Sequence, residues 1–460
     1  MNGVAVPKYG GSESEQPPTI YTVPSELRSA NVEAYLPVAV EIGLVHQRWA
    51  NPDFELLQDY KWCCVRRLIS RHHLLQESSR TRTLLRRCLA ALKSLEPRIW
   101  ASYPRNVNRQ DRDLVHTMLL DGCFILHRLL KYARIARREA ASSASASATA
   151  EGGNDDDEGD DDCSQVFGRC WVWGFVTRDL LLLENQIPFF VVEKLFEQLR
   201  TDPNETSEVL VAGALRLFRS LRPQNLHASP ITCVNVHHLL HLFYLSVGKP
   251  APAPAPAFDL HQHVQPPSEF TQWVPCAREL EEAGVKFRAR QDATSFLDME
   301  FHGGVLEIPM LQLYDYSEPL LRNLIAFEQT YPFTPGNVTA YAIFMDCLVA
   351  SPEDMRLLQL SGVLVNQMNS ERDREAARFF GRLCHETYLA ADRNYLAGVI
   401  TELNKYQRAR WPRWRAALVR NYFSNPWVTT SVAAAVVLLV LTTLQSFFAA
   451  YAYFKPPKQQ

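Results

Sequence analysis

Apolar residues recur three and four positions apart along most of this chain, the spacing that lines one face of a helix. From Asp53 to Leu95 the pattern runs through Leu56, Leu57, Tyr60 and Trp62, then Leu68, Leu74 and Leu75. Arg112 to Arg138 predicts one long helix carrying Leu114, Met118, Leu119, Phe124, Ile125, Leu129 and Leu130. Arg178 to Leu199 is apolar nearly all round, but Pro188 interrupts it. Proline suits a helix's first turn and breaks an interior, so two buried helices should meet near Asn185 and Gln186. Helices are expected again over Glu318–Glu328, Asn337–Leu348 and Ser370–Tyr406.

The period changes in the centre. Val285 to Arg290 alternates residue by residue, and Gly303-Gly304 precedes Val305-Leu306-Glu307-Ile308. Alternation around a glycine pair predicts a hairpin. A small antiparallel sheet is therefore expected within about 285–313, with Pro309 holding the last strand to an edge. The predicted fold class is mainly α-helical with this small antiparallel β-sheet, plus one C-terminal transmembrane helix.

That last element comes from the end of the chain, where Asn421 to Phe454 carries no charge. Val428 to Tyr453 would reach about 39 Å as a helix at 1.5 Å per residue, against a hydrocarbon core of about 30 Å. Trp427, Val428, Leu438, Leu439, Leu441, Leu444, Phe447 and Tyr453 are its expected anchor residues. Arg408, Arg410, Arg413, Arg415 and Arg420 precede it, and Lys455 and Lys458 follow. This asymmetry predicts a tail-anchored protein with its N-terminal domain in the cytosol, at a plasma membrane or endomembrane. Ser431 and Ala435, like Ser446 and Ala450, are four apart, a spacing that allows helix association and a homo-oligomer.

Composition divides the remainder. Residues 1–30 are polar and expected to be a flexible N-terminus. The helical domain should occupy 31–407. Ala140 onward is an Ala/Ser run passing into an acidic run, expected as a disordered insertion over 140–165. Pro and Ala alternate within 248–268, a stiff linker. These segments are insertions into one helical domain, or else mark the joints of separate lobes. A basic, aromatic juxtamembrane segment spans 408–427, and 454–460 is a short tail. With 48 basic and 50 acidic residues among 460, net charge −2, no nucleic-acid footprint is expected.

Several ordered blocks resemble a plant family, domain-of-unknown-function family 247. They are Leu120-Asp121-Gly122-Cys123-Phe124-Ile125-Leu126, and Arg178-Asp179-Leu180 through Glu184-Asn185-Gln186-Ile187-Pro188-Phe189-Phe190. Ala283-Gly284-Val285-Lys286-Phe287, Gly304-Val305-Leu306-Glu307-Ile308-Pro309 and Leu321-Arg322-Asn323-Leu324-Ile325-Ala326-Phe327-Glu328-Gln329 follow, and Tyr422 to Trp427 closes the series. The resemblance covers about residues 35 to 454. It implies a plant membrane-associated protein without an established enzymatic activity, and some grass members are linked to pollen-side self-incompatibility. Family members usually carry a Gly-Pro-Tyr-His-His stretch near the front, where this chain has Gly43-Leu44-Val45-His46-Gln47.

No phosphate-binding loop, HExxH or GxSxG motif is present. His237 and His241 share a helical face as metal pairs do, but Leu239, Leu240, Leu242 and Phe243 surround them, so no metal or other cofactor is expected. Asp121, Asp179, Glu184, Asp298, Glu307 and Glu328 could supply an acid–base pair. Together with Asn185, Gln186, Arg322 and Asn323 they are read instead as scaffold polar groups that cap helices and pair inside the fold. The expected function is non-catalytic recognition or signalling at a plant membrane, through an unidentified protein partner and through lipid at the C-terminal helix. A carboxylate-based hydrolase or transferase is one alternative, and a membrane-perturbing or pore-related protein is another.

Overall fold

A computed structural model describes residues 18–46, 52–71, 78–107, 113–144, 172–222, 236–248, 273–332, 334–368, 372–390, 393–409 and 426–454. The chain is mainly helical with two small sheets.

The longest core helix, α5 (Leu114–Ala144), organises the N-terminal half. Met118, Leu119, Phe124, Leu126 and Leu129 are buried along it. It packs against α2 (Pro52–Ser70), α3 (Ser78–Ser94), α7 (Phe189–Leu199) and α8 (Glu208–Leu217). The α5–α8 crossing is close because Gly213 lies against the backbone of Leu129; a Cβ there would sit 2.1 Å from the Leu129 carbonyl oxygen.

Between α6 (Val172–Asp179) and α7 the chain is not helical over 180–188. Pro188, with φ −59° and ψ 132°, is the N-cap of α7. Of the two helices expected over Arg178–Leu199, the second forms as α7, but the first does not: α6 ends at Asp179, and 180–188 is a buried, polar turn.

The C-terminal half is built on α11 (Ser317–Thr330), which contacts α12 (Asn337–Leu348) and α14 (Arg372–Leu383). The single helix expected over Ser370–Tyr406 is two, α14 and α15 (Ala397–Arg408). Between them Glu386 has φ +57°, a left-handed conformation that ends a helix.

The sheet differs from the expected antiparallel one. β2 (Glu300–His302) and β3 (Val305–Pro309) form the hairpin around Gly303-Gly304. β1 (Lys286–Arg290), however, runs parallel to β3, giving the order β1-β3-β2. β3 is thus the central strand, and Pro309 is accommodated as its last residue rather than at an edge. β4 (Leu311–Leu313) leaves this sheet and pairs in parallel with β5 (Leu364–Asn366). Hairpin geometry is local, whereas β1 pairs with β3 past the intervening β2 and β4 pairs with β5 across three helices, which alternation alone does not specify.

Two expectations at the chain's ends are corrected. Within the stretch 1–30, expected to be loose, residues 18–30 pack: α1 (Ser25–Ala30) forms, and Ile20, Val23 and Leu27 are buried. These three apolar side chains join a core that continues to Leu403.

The expected transmembrane helix over 428–453 is also corrected, since among the described residues no helix is long and apolar enough to cross a membrane. The terminal helix α16 runs Pro426–Phe454.

The expected insertion starts later than position 140, because α5 continues to Ala144. Its remainder, most of the Pro/Ala linker 248–268, and Arg410, Arg413, Arg415 and Arg420 lie outside the described residues. So do the side chains of Trp427, Val428 and Tyr453. Arg408 is exposed at the end of α15.

Candidate functional site

The irregular segment 18–46 crosses the helices as a strap. Apart from α1 and a short 3-10 turn at Glu33–Tyr35, its backbone groups lack helical or strand partners. Buried, unpaired backbone N–H and C=O groups cost free energy, so something else must satisfy them. The polar residues singled out by the sequence do so.

Asp179, the last residue of α6, points its carboxylate at three consecutive strap N–H groups. Oδ2 accepts from Ala39 at 2.6 Å, Val40 at 2.8 Å and Val38 at 3.1 Å. Burial pushes its pKa up to about 7, opposed by those three donors. Glu184 accepts from the Val23 N–H at 2.8 Å and pairs with Arg28. Asn185 accepts from the Ile42 N–H at 2.7 Å and donates to the carbonyls of Val40 and Asp179, both at 2.9 Å.

Asp121 on α5 closes the far end. It accepts from the Gly43 N–H at 2.9 Å and from Lys61 Nζ at 2.6 Å. Lys61 also donates to the Glu41 carbonyl at 2.6 Å. Gly43 has φ +78°, and a Cβ on it would lie 2.2 Å from the Gln186 carbonyl oxygen. Only glycine fits so close an approach in that conformation.

Gln186 and Asn323 tie this clamp to the other half. Gln186 donates to the carbonyls of Leu180 and Leu182 at 2.8 Å, and accepts from the Leu240 N–H of α9 (Leu239–Val247) at 3.2 Å. Asn323 accepts from the Leu183 N–H at 2.8 Å and donates to the Ala34 carbonyl at 2.9 Å. One side chain on α11 thereby holds both the 180–188 turn and the strap. Arg322 beside it bonds Glu318 at 3.0 Å and the Arg382 carbonyl at 2.8 Å.

Glu328 has a separate task. Its carboxylate accepts from the Val338 N–H at 2.9 Å, the Thr339 N–H at 2.7 Å and the Thr339 hydroxyl at 2.7 Å. The first-turn N–H groups of a helix have no partner within it, so Glu328 acts as an N-terminal cap for α12. The Tyr244 hydroxyl donates to it at 2.8 Å. Burial raises the Glu328 pKa against these donors. Glu307 stands apart, pairing with Arg288 opposite it in the β1–β3 register.

The three histidines are built into the packing. His238 is the N-cap of α9, where its ring accepts from the His241 N–H. His237 lies 2.6 Å from the Tyr331 hydroxyl and stacks on the ring of His241 at 4.7 Å. Burial lowers the His237 pKa and brings that of His241 down to about 3. Among the described residues no cluster of His, Cys, Asp and Glu could hold a metal ion.

Chemically, the candidate carboxylates face backbone donors rather than a shared cleft. A carboxylate offers about four lone-pair positions, and those of Asp179 and Glu328 are largely occupied. Sequence reasoning missed the partners Lys61 and Arg28. Lys61 had a signal: it shares a buried helical face with Leu57, Cys64 and Leu68 and is itself 4% exposed. A lysine at that spacing needs a buried counter-charge.

The sequence profile of the plant protein family of unknown function numbered 247 matches residues 20–441. The chain belongs to that family. The match takes in the strap, all the clamp residues, Arg322 and Glu328. Among relatives, the UPF0481 protein At3g47200 of Arabidopsis thaliana is 26% identical, over 95% of this chain and 87% of its own length. The putative UPF0481 protein At3g02645 of the same plant is 22% identical, over 95% and 91%. No solved structure matches the chain significantly.

Proposed function

We propose that this protein works by binding, as a plant recognition or signalling protein acting through protein–protein contact. The observation that supports this reading is the exposed apolar surface of α16. Val436, Val437, Leu438, Leu439, Val440, Leu441, Leu444, Phe447 and Phe448 are each between 46% and 67% exposed. The hydroxyls of Thr442, Thr443 and Ser446 turn back to helix carbonyls at 2.7–3.0 Å, so they leave that surface apolar. A contiguous apolar surface on this scale marks an interaction site. The candidate acids offer little support for the hydrolase or transferase reading, because they satisfy backbone groups and cap a helix.

The test is proximity labelling in plant cells, comparing the native chain with Leu439→Arg/Leu441→Arg. A reproducible set of proteins labelled by the native chain and lost in the variant is expected. An unchanged set would count against recognition through α16. The same surface also suits contact with lipid at a membrane. Flotation of unwashed membrane fractions from the same cells tests that place: the native chain should float with them and the double variant should not.

A further inference from the structure

Away from the clamp, a cleft of about 580 Å³, counting the space open to solvent, lies between the end of the 3-10 turn Arg219–Leu221, α9, β4 and α11. Its walls are apolar, with Phe243, Phe296, Leu311 and Leu324 among them. Tyr314 and Tyr316 stack at 5.0 Å to form one side. A smaller space of about 260 Å³ adjoins it across Leu221, Tyr316 and Leu320. No Asp or Glu lines either space among the described residues.

The cationic group lining the larger cleft is Arg222. Its Nε and Nη2 are buried and meet no hydrogen-bond partner. These two nitrogens carry the parallel N–H bonds of one guanidinium edge, the edge that matches a carboxylate's two oxygens. Burial lowers the Arg222 pKa, with no counter-charge opposing it. A desolvated cation without an acceptor is costly, and a ligand anion would relieve that cost. The nearby polar groups are engaged: the Tyr316 hydroxyl donates to the Ser220 carbonyl at 3.3 Å, and the Tyr314 hydroxyl to Gln312 at 2.5 Å.

We infer that this cleft binds a small organic carboxylate with an apolar or aromatic body: the Arg222 side chain, which gives up no hydrogen bond at Nε or Nη2, turns that edge onto the two oxygens, and the body lies against Phe243, Phe296 and Leu324. The inference is independent of partner binding through α16.

Titration of the purified full chain with 4-phenylbutyrate, 4-phenylbutanol and 4-phenylbutylamine tests it by calorimetry. The acid should bind at least about tenfold more tightly than the alcohol, the scale of a charge-assisted hydrogen-bond pair, and the amine should not bind. Arg222→Met should remove the preference for the acid, and Arg222→Lys should weaken it, since an ammonium lacks the parallel donors. Leu320→Trp, which narrows the cleft and leaves the charge, should reduce binding of acid and alcohol alike. It decides the matter if Arg222→Met does not fold. Equal affinity for acid and alcohol, no binding of the acid at millimolar concentration, or binding unchanged by Leu320→Trp would each overturn the inference.

Discussion

Asn323 shows how much one side chain can hold. It is fully buried, and its amide joins the 180–188 turn to the strap. Asn323→Ala would strand the Leu183 N–H and the Ala34 carbonyl, at about 1–3 kcal/mol for each unsatisfied group. A loss of about 2–6 kcal/mol in unfolding free energy is expected, read from urea denaturation. Asp179 makes a pH prediction. Its folded pKa of about 7 lies above its ordinary value of 3.8. Between those pH values the folded state keeps a proton that the unfolded chain releases. The Asp179 contribution to stability therefore falls as pH rises from about 4 to about 7, then stays level. Asp179→Asn lacks this titration. The stability of the native chain relative to that variant should decline across the window, measured by urea midpoints at pH 4, 5.5 and 7. A flat difference would mean that the three N–H donors outweigh burial. At this scale the sequence revealed the right side chains, but not what they bond. Asp179 and Asn185 stand out as polar residues within an apolar run, yet their partners in the strap lie more than 130 positions away.

At the scale of elements, two helical glycines separate packing from propensity. Gly213 of α8 lies against the Leu129 carbonyl. Gly213→Ala must push α8 away from α5, and overpacking of this kind costs about 1–3 kcal/mol. Gly174 of α6 has nothing within 4 Å of a Cβ position, so Gly174→Ala should stabilise by about 0.5–1 kcal/mol through helix propensity alone. Opposite shifts in urea midpoint are the expected outcome. Helix existence was legible where the period was strong. Asn337–Leu348 forms over the expected residues, and the turn before Pro188 falls where a proline at a helix start requires it. Strand partners were not legible. The β2–β3 hairpin follows from Gly303-Gly304, whereas β1 reaches β3 past the β2 strand, and the β4–β5 pair depends on how the intervening helices pack.

For the whole molecule, the strap decides whether the halves cohere. Its segment 18–46 buries Ile20, Val40, Ile42 and Leu44, and it supplies the donors for Asp179, Glu184 and Asp121. Deleting residues 1–46 would expose that core and leave several buried carboxylates without donors, at several kcal/mol per uncompensated charge. Against a typical domain stability of about 5–15 kcal/mol, loss of cooperative unfolding is expected, seen as a broad, shallow melt by circular dichroism. A sharp melt would show that the strap is an addition to an independent core.

The sequence by itself determined the family, the helical class, the hairpin and several of the polar residues inside the fold. Each rests on a local signal: an ordered motif, a period, a glycine pair, or a polar residue amid apolar ones. The tertiary structure decided the course of the strap, the parallel strand pairs and the pairing of Lys61 with Asp121. It also decided that Asp179, Glu184 and Asn185 serve one backbone segment, and that Arg222 lines an apolar cleft. These are contacts between residues far apart in the chain, and they exist only once the helices have packed and water has left the groups between them.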